Sequence, residues 1–272
     1  MDRRKFLQGA AAGAAALATI PAVSEARPSA APRAASAQPM PREPETATPP
    51  DVEVLTETRS GSDVMVDVLK SLGIEYVLSN PGSSFRGLHE SVINYGGNSN
   101  PEFITCCHEE SAVAMAHGYA KMEGKPAAVF LHSDVGLQHG SMAIFNAFCD
   151  RVPVYLIAGN ALDIASRRPG VEWDHSAQDV AAIVRDCLKW DDVPISLEHF
   201  TESGVRAYKI AMTPPMAPVL LVADGELQER PVADDAKYHI PKLTLASAPQ
   251  GDSAAVAETA RMMVAAENPV IL

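Results

Sequence analysis

No apolar run in this 272-residue sequence approaches the roughly 18 residues needed to cross a bilayer. Positive charge is scarce: 22 Lys and Arg stand against 34 Asp and Glu, a formal net charge of −12. That balance excludes a binder driven by nucleic-acid backbone contacts, which needs clustered cations to release counterions. It also argues against docking on an anionic membrane surface. Four cysteines in a chain this long make no disulfide scaffold. The phosphate-cradling patterns G-x-G-x-x-G and G-x-x-x-x-G-K-[ST] are missing, and no repeat occurs at solenoid periods. What remains is 47% hydrophobic and 21% charged, ordinary for a globular chain of one or two domains.

The first fifty residues are a different material. They hold six cations and four acids, leaving 16 positive and 30 negative charges, a net of −14, in the other 222 residues. The start, Asp2-Arg3-Arg4-Lys5-Phe6-Leu7-Gln8, precedes a weakly apolar run over 9–20. A charged segment followed by a short Ala-rich run is the pattern of an export signal, and the paired arginines resemble the twin-arginine type, a receptor-read address. The expectation is delivery to the periplasm. Pro, Ala and Ser then dominate as far as Asp51, the composition of an unstructured linker.

Beyond the linker, helical and strand patterns alternate. Apolar Val64, Val68, Leu69 and Leu72 have helical spacing, with Ser62 or Asp63 as cap and Gly73 as stop. Strands are expected at 76–78, 103–106, 127–131, 154–158, 188–190 and 219–223. Helices are expected at 85–95, 109–122, 137–148, 177–186 and 198–212. Continuous apolar strands separated by single helices imply an α/β fold: a parallel sheet of about six strands with helices on both faces. From Glu226 to Pro249 the sequence turns polar and Pro-punctuated, and 253–266 reads as a new amphipathic helix before Val270-Ile271-Leu272. The expected division is a signal region at 1–37, a linker at 38–56, an α/β domain at 57–230, a linker at 231–250, and the opening of a second α/β domain at 251–272. The sequence reads as the N-terminal piece of a longer protein.

Ligands of such sheets bind at the carboxyl ends of the strands. Three loops deliver polar groups there: Asn80-Pro81-Gly82-Ser83, His108-Glu109, and His132-Ser133-Asp134. Glu109 opens a helix, where the dipole stabilises a carboxylate. Cys106-Cys107-His108-Glu109-Glu110 suggests a metal cluster, but adjacent strand side chains point to opposite faces, and Ala112 stands where H-E-x-x-H requires its second histidine. No metal site is expected, and the cysteines read as small buried hydrophobes. His89, His117 and His175 show no partner in the sequence and read as surface or packing residues.

The same loops carry a resemblance. His108-Glu109, Ala112, Ala116-His117-Gly118-Tyr119-Ala120-Lys121 and Gly124-Lys125-Pro126 resemble the pyrimidine-binding domain of the thiamine-diphosphate-dependent family that includes acetolactate synthase and benzoylformate decarboxylase. Asn80-Pro81-Gly82 upstream, and Asn146-Ala147 with Val152-Pro153 downstream, extend the likeness from about Gly61 to Asp224; 253–272 is similar to the opening of the family's middle domain. The resemblance implies that Glu109 hydrogen-bonds a ring nitrogen of the cofactor's aminopyrimidine, favouring the imino tautomer that deprotonates the thiazolium carbon, with Pro81 and Gly82 beside the cofactor. The substrate implied is an α-keto acid.

Two departures refine the expectation. Acetolactate synthases have Gly-Pro-Gly-Ala-Thr-Asn where this chain has Asp134-Val135-Gly136-Leu137-Gln138-His139. His132-Ser133 and Asn80-Pro81-Gly82-Ser83 instead resemble benzoylformate decarboxylase, which assigns Ser83 and His132 to the substrate; the plain alternative is that His132 caps the following helix. The family's diphosphate and Mg²⁺ motif, Gly-Asp-Gly…Asn, does not occur here, so the resemblance places both in a domain outside this sequence. FAD is not indicated. A homodimer or homotetramer is implied, because the family's site forms between two subunits. The chain is expected to be part of a decarboxylase or carboligase; the alternative is a non-catalytic fragment or a pyrimidine-domain subunit that needs a separate diphosphate-binding chain.

Overall fold

The structure, a computed structural model, describes residues 59–233, 235–247 and 250–271. The expected signal region at 1–37 and linker at 38–56 lie outside the described residues. In chain order the strands are β1 Arg59–Ser60, β2 Tyr76–Ser79, β3 Glu102–Thr105, β4 Ala128–Leu131, β5 Tyr155–Asn160, β6 Trp190–Asp192, β7 Val219–Asp224 and β8 Pro231–Val232. The helices are α1 Gly61–Ser71, α2 Arg86–Glu90, α3 Glu109–Glu123, α4 Ser133–Cys149, α5 Val171–Asp174, α6 Leu197–Met212, α7 Gly225–Glu229 and α8 Ser253–Ala265. Among the described residues no helix is long and apolar enough to cross a membrane.

Six strands form one parallel sheet in the order β3-β2-β4-β5-β7-β6. The period-two alternation of a strand sends successive residues to opposite faces, and here both faces are buried. Val77, Phe130, Ile157 and Leu221 enter one core with α1 and α6. Leu78, Val129, Leu156 and Leu220 enter the other with α3 and α4. Two covered faces explain why these strands read as unbroken apolar runs.

Three local features differ from the sequence expectation. The helix expected at 85–95 is broken into a 3₁₀ turn at Ser83–Phe85, then α2, then a π turn at Ser91–Tyr95. Buried Ser91 donates to Asp63 Oδ1 on α1 at 2.7 Å, and the amide of Gly96 reaches back five residues to Ser91 O. This tie to α1 accompanies the wider turn. The helix expected at 177–186 is two 3₁₀ turns, Val180–Ile183 and Arg185–Cys187. Arg185 there bridges Asp179 and Asp191. Finally, the stretch after β7 is tied back to the domain: β8 pairs antiparallel with β1, and α7 supports the site described below. Two-residue strands are too short to show a period.

The segment 253–265 is helical as expected, and its residues are exposed; Val270 and Ile271 lie in no strand. Cys106 is buried, whereas Cys107 and Cys149 are exposed, which corrects the expectation for those two. Cys107 follows the end of edge strand β3, and Cys149 is the last residue of α4.

Close approach at two glycines fixes the loop after β2. A Cβ on Gly159 of β5 would stand 2.1 Å from Ser84 O, and one on Gly82 would stand 2.5 Å from His132 Cβ. Backbone and Cβ atoms cannot yield as a flexible side-chain tip can. Gly159→Ala should therefore destabilise the chain by about 1–3 kcal/mol, the usual cost of overpacking. Urea unfolding measures this, and a midpoint equal to wild type would contradict the packing described.

Candidate functional site

The loop from Asn80 to Ser84 leaves β2 at its carboxyl end and lies across the ends of β4 and β5. Gln228 of α7 clamps it: Nε2 donates to both Ser84 O and Ala223 O at 2.9 Å, while Oε1 accepts from the Leu88 amide at 3.2 Å. The loop thereby meets His132, the residue after β4. His132 Nδ1 lies 2.9 Å from Ser84 Oγ and 3.4 Å from the Ser84 amide nitrogen. Its Nε2 lies 2.9 Å from His175 Nδ1. His132 occupies the N-cap position of α4, but its side chain makes no capping hydrogen bond. Ser133, the next residue, is fully buried at φ +45, a strained backbone for a non-glycine residue. Its Oγ bonds Asn160 Oδ1, and Asn160 Nδ2 holds the loop after β5 through Ala177 O.

These groups border a cavity of about 330 Å³ at the ends of β4, β5 and β7. Most of its lining residues carry polar or charged side chains; Ala161, Gly225 and Pro231 are the exceptions. Arg86 pairs with Glu172 at 2.8 Å and with Glu229, which also takes Arg168 at 3.1 Å. Burial works against charge on Glu172, but the Arg168 amide and the Arg86 guanidinium hold its carboxyl below the usual carboxylate range. Burial, and then the His175 ring, push His132 below the usual histidine range, against the opposing pull of Asp134 and Glu109.

Glu109 does not line this cavity. It is the first residue of α3 and only 3% exposed, and its Oε2 lies 3.2 Å from Nδ1 of the exposed His139 on α4. Gly140 of α4 faces this point: a Cβ there would be 3.8 Å from Glu109 Cβ and 3.4 Å from Val113, ordinary packing contact. His108 caps α3, its Nδ1 accepting from the Glu110 amide at 3.2 Å, and its ring stacks on His139 with centroids 5.1 Å apart. Donor atoms of His108, Glu109 and His139 all lie within 4.8 Å of one another. A nearly dry carboxylate at a helix N-terminus, facing the surface through one imidazole, is a fit receptor for a protonated or N–H-bearing heterocycle.

Residues 59–180 match the family model described as thiamine pyrophosphate enzyme, N-terminal TPP binding domain. This segment is a TPP-binding domain of the thiamine pyrophosphate enzymes. The chain is 30% identical over 162 residues to the acetolactate synthase large subunit of Haemophilus influenzae, covering 60% of this chain and 27% of that protein. It is 27% identical over 206 residues to benzoylformate decarboxylase of Pseudomonas aeruginosa, covering 76% of this chain and 37% of that one. A solved structure from Mycobacterium smegmatis, described as a thiamin diphosphate-dependent enzyme, superposes with a TM-score of 0.63 at 26% identity, covering 78% of this chain and 38% of that one. The chain thus spans between about a quarter and two fifths of the length of these three relatives.

Within the TPP-binding domain, the loops after β2 and β4 meet as the strand-end argument expects, but the loop after β3 does not join them at the cavity. Ser83 is exposed at the cavity rim; it is Ser84 that touches His132. Pro81 is exposed, and Gly82 packs against His132. Of the histidines without a partner in the sequence, His89 stacks on Phe103, as a packing residue does. His117 pairs with Asp150 at 3.0 Å, and His175 pairs with His132. Sequence reasoning missed His139 and Gln228 as well. For His139 a signal existed, because it stands where acetolactate synthases carry the last Asn of their motif.

The low His132 value makes a measurable prediction. Unfolded, the ring titrates near 6.5; folded, it titrates lower, so the unfolded chain binds more protons in between. Stability should rise with pH across that window and be lost as pH falls below about 6.5. Urea unfolding from about pH 5 to about pH 7.5 should show this slope, and His132→Asn should flatten it. An unchanged slope in the variant would contradict the assignment.

Proposed function

We propose that this chain is the pyrimidine-binding part of a thiamine-diphosphate enzyme acting on an α-keto acid, with Glu109 as the group that holds the cofactor's ring proton. The observation that carries the proposal is the burial of Glu109 at the start of α3, with His139 on one carboxylate oxygen. When bound, thiamine diphosphate supplies a carbon nucleophile and an electron sink for decarboxylation or carboligation. The chain's own residues supply position and proton control. Glu109 offers its other oxygen to an aminopyrimidine ring nitrogen. That carboxylate opens α3, the helix end whose dipole favours negative charge.

The cavity at His132 is the keto-acid side of the proposed site. Its lining carries Arg86 and Arg168 and no Phe, Tyr, Trp, Val, Leu or Ile, which suits a small acid better than a phenyl ring. The diphosphate and Mg²⁺ are, on this proposal, held by protein outside these 272 residues. A second copy completes the site. Met115 and Met122 lie one heptad apart on α3, and Met142 and Phe145 lie three apart on α4; all four are exposed, Met122 by 85%. That apolar face belongs to the same two helices that carry Glu109 and His139, so covering it would close the site from water.

The test uses the complete enzyme. Glu109→Gln keeps shape and a hydrogen bond but cannot return a proton. Exchange of the thiazolium carbon proton with deuterium, followed by NMR, should slow by about 10²–10⁴, the size of a general acid–base contribution. Glu110, exposed on the next helix position, is the control and should be nearly silent as Gln. Wild-type exchange in Glu109→Gln would remove the proposal.

A further inference from the structure

His175 sits on the segment between β5 and β6, 43 residues from His132, and lines the cavity. Its Nδ1 and His132 Nε2 are 2.9 Å apart, with the two rings nearly perpendicular at 83°. One nitrogen of that pair must donate and the other accept. The other end of His132 decides which. Nδ1 faces the Ser84 amide at 3.4 Å, and a backbone N–H can only donate. The Ser84 hydroxyl at 2.9 Å can serve in either sense, so the amide tips the balance to the neutral tautomer protonated at Nε2, which donates to His175 Nδ1. His175 then carries its own proton on Nε2. The direction of the whole chain, from Ser84 through His132 to His175, is set by an amide that cannot rotate. Gln228 and the close approach at Gly159 hold that amide in place.

Two of the cavity's three arginines are engaged. Arg86 and Arg168 are linked to Glu172 and Glu229, which compensate their charge. An oriented N–H beside them offers a hydrogen bond to a small oxygen acceptor.

We propose that His175, held as the Nε2–H tautomer by His132, is a hydrogen-bond donor that this cavity presents to the carboxylate or keto oxygen of a small 2-oxo acid. His132 is then a positioning residue that acts through His175, rather than the group that touches the substrate. The inference rests on the cavity being the keto-acid side of the site.

Two measurements test it. Nitrogen-15 NMR of the chain, without cofactor, reads each ring's tautomer. Both His132 and His175 should be Nε2–H, and a protonated Nδ1 on either neutral ring would overturn the assignment. In the complete enzyme with pyruvate as probe, His175→Phe should raise KM about tenfold or more while leaving thiamine diphosphate affinity unchanged, because a half-buried donor to a charged acceptor is lost. His175→Gln, which can both accept from His132 and donate onward, should recover most of that loss. Equal KM in wild type and His175→Phe, or equal loss in Phe and Gln, would overturn the proposal. The tautomer measurement needs no turnover, so it separates failure of the His175 assignment from failure of the keto-acid reading, which the Glu109→Gln exchange experiment reports.

Discussion

The close approach of one backbone loop to two strand ends is the constraint on which the cavity depends. Gly82 and Gly159 leave no room for a side chain, so the loop after β2 lies directly on His132 and on β5. That contact brings the Ser84 amide and hydroxyl to His132, and His132 in turn orients His175. Gln228 then holds Ser84 O from a helix that follows the last strand of the sheet. The parallel sheet makes the contact possible, because it collects the ends of β2, β4, β5 and β7 at one edge. Buried strain at Ser133 belongs to the same arrangement: the chain must turn sharply after β4 to begin α4 while leaving His132 free of the cap.

Two polar centres share that edge of the sheet and differ in character. Glu109 is a dry carboxylate with an imidazole neighbour, packed between α3 and α4. The His132 cavity is open, and Arg86 and Arg168 in its lining pair with Glu172 and Glu229. The first suits a heterocycle that shares a proton, the second a small acid. Their proximity is electrostatic as well as spatial, since the Glu109 charge acts on His132. Both stand on loops that leave rigid parallel strands, which is how such sheets combine a stable scaffold with adaptable chemistry.

Much of this was legible along the chain. The parallel sheet follows from strands such as 154–158 and 219–223, apolar at every position because both faces are covered. Glu109 and His132 were legible because His132 directly follows β4 and Glu109 opens the helix after β3. The residues that orient them were not, since their partners are remote in sequence: His175 lies 43 residues from His132, and Gln228 lies 144 from Ser84. Neither has a local pattern, as a side chain that bonds across the fold leaves no period behind. The broken helix after β2 was hidden for the same reason, because Ser91 answers to Asp63 on α1 rather than to its own turn. Ser84 was overshadowed by Ser83, its neighbour in the recognisable motif, and only the loop's path shows which hydroxyl faces inward.

The central claim is that Glu109 receives the aminopyrimidine while the His132 cavity faces the reacting end of the substrate. A crystal structure of the complete enzyme with thiamine diphosphate, Mg²⁺ and an unreactive keto-acid analogue tests it most directly. The account predicts a ring nitrogen of the aminopyrimidine within hydrogen-bond distance of Glu109, and the analogue's carboxylate or keto oxygen beside His175 Nε2. An aminopyrimidine seated away from Glu109, with that carboxylate still paired to His139 alone, would contradict it.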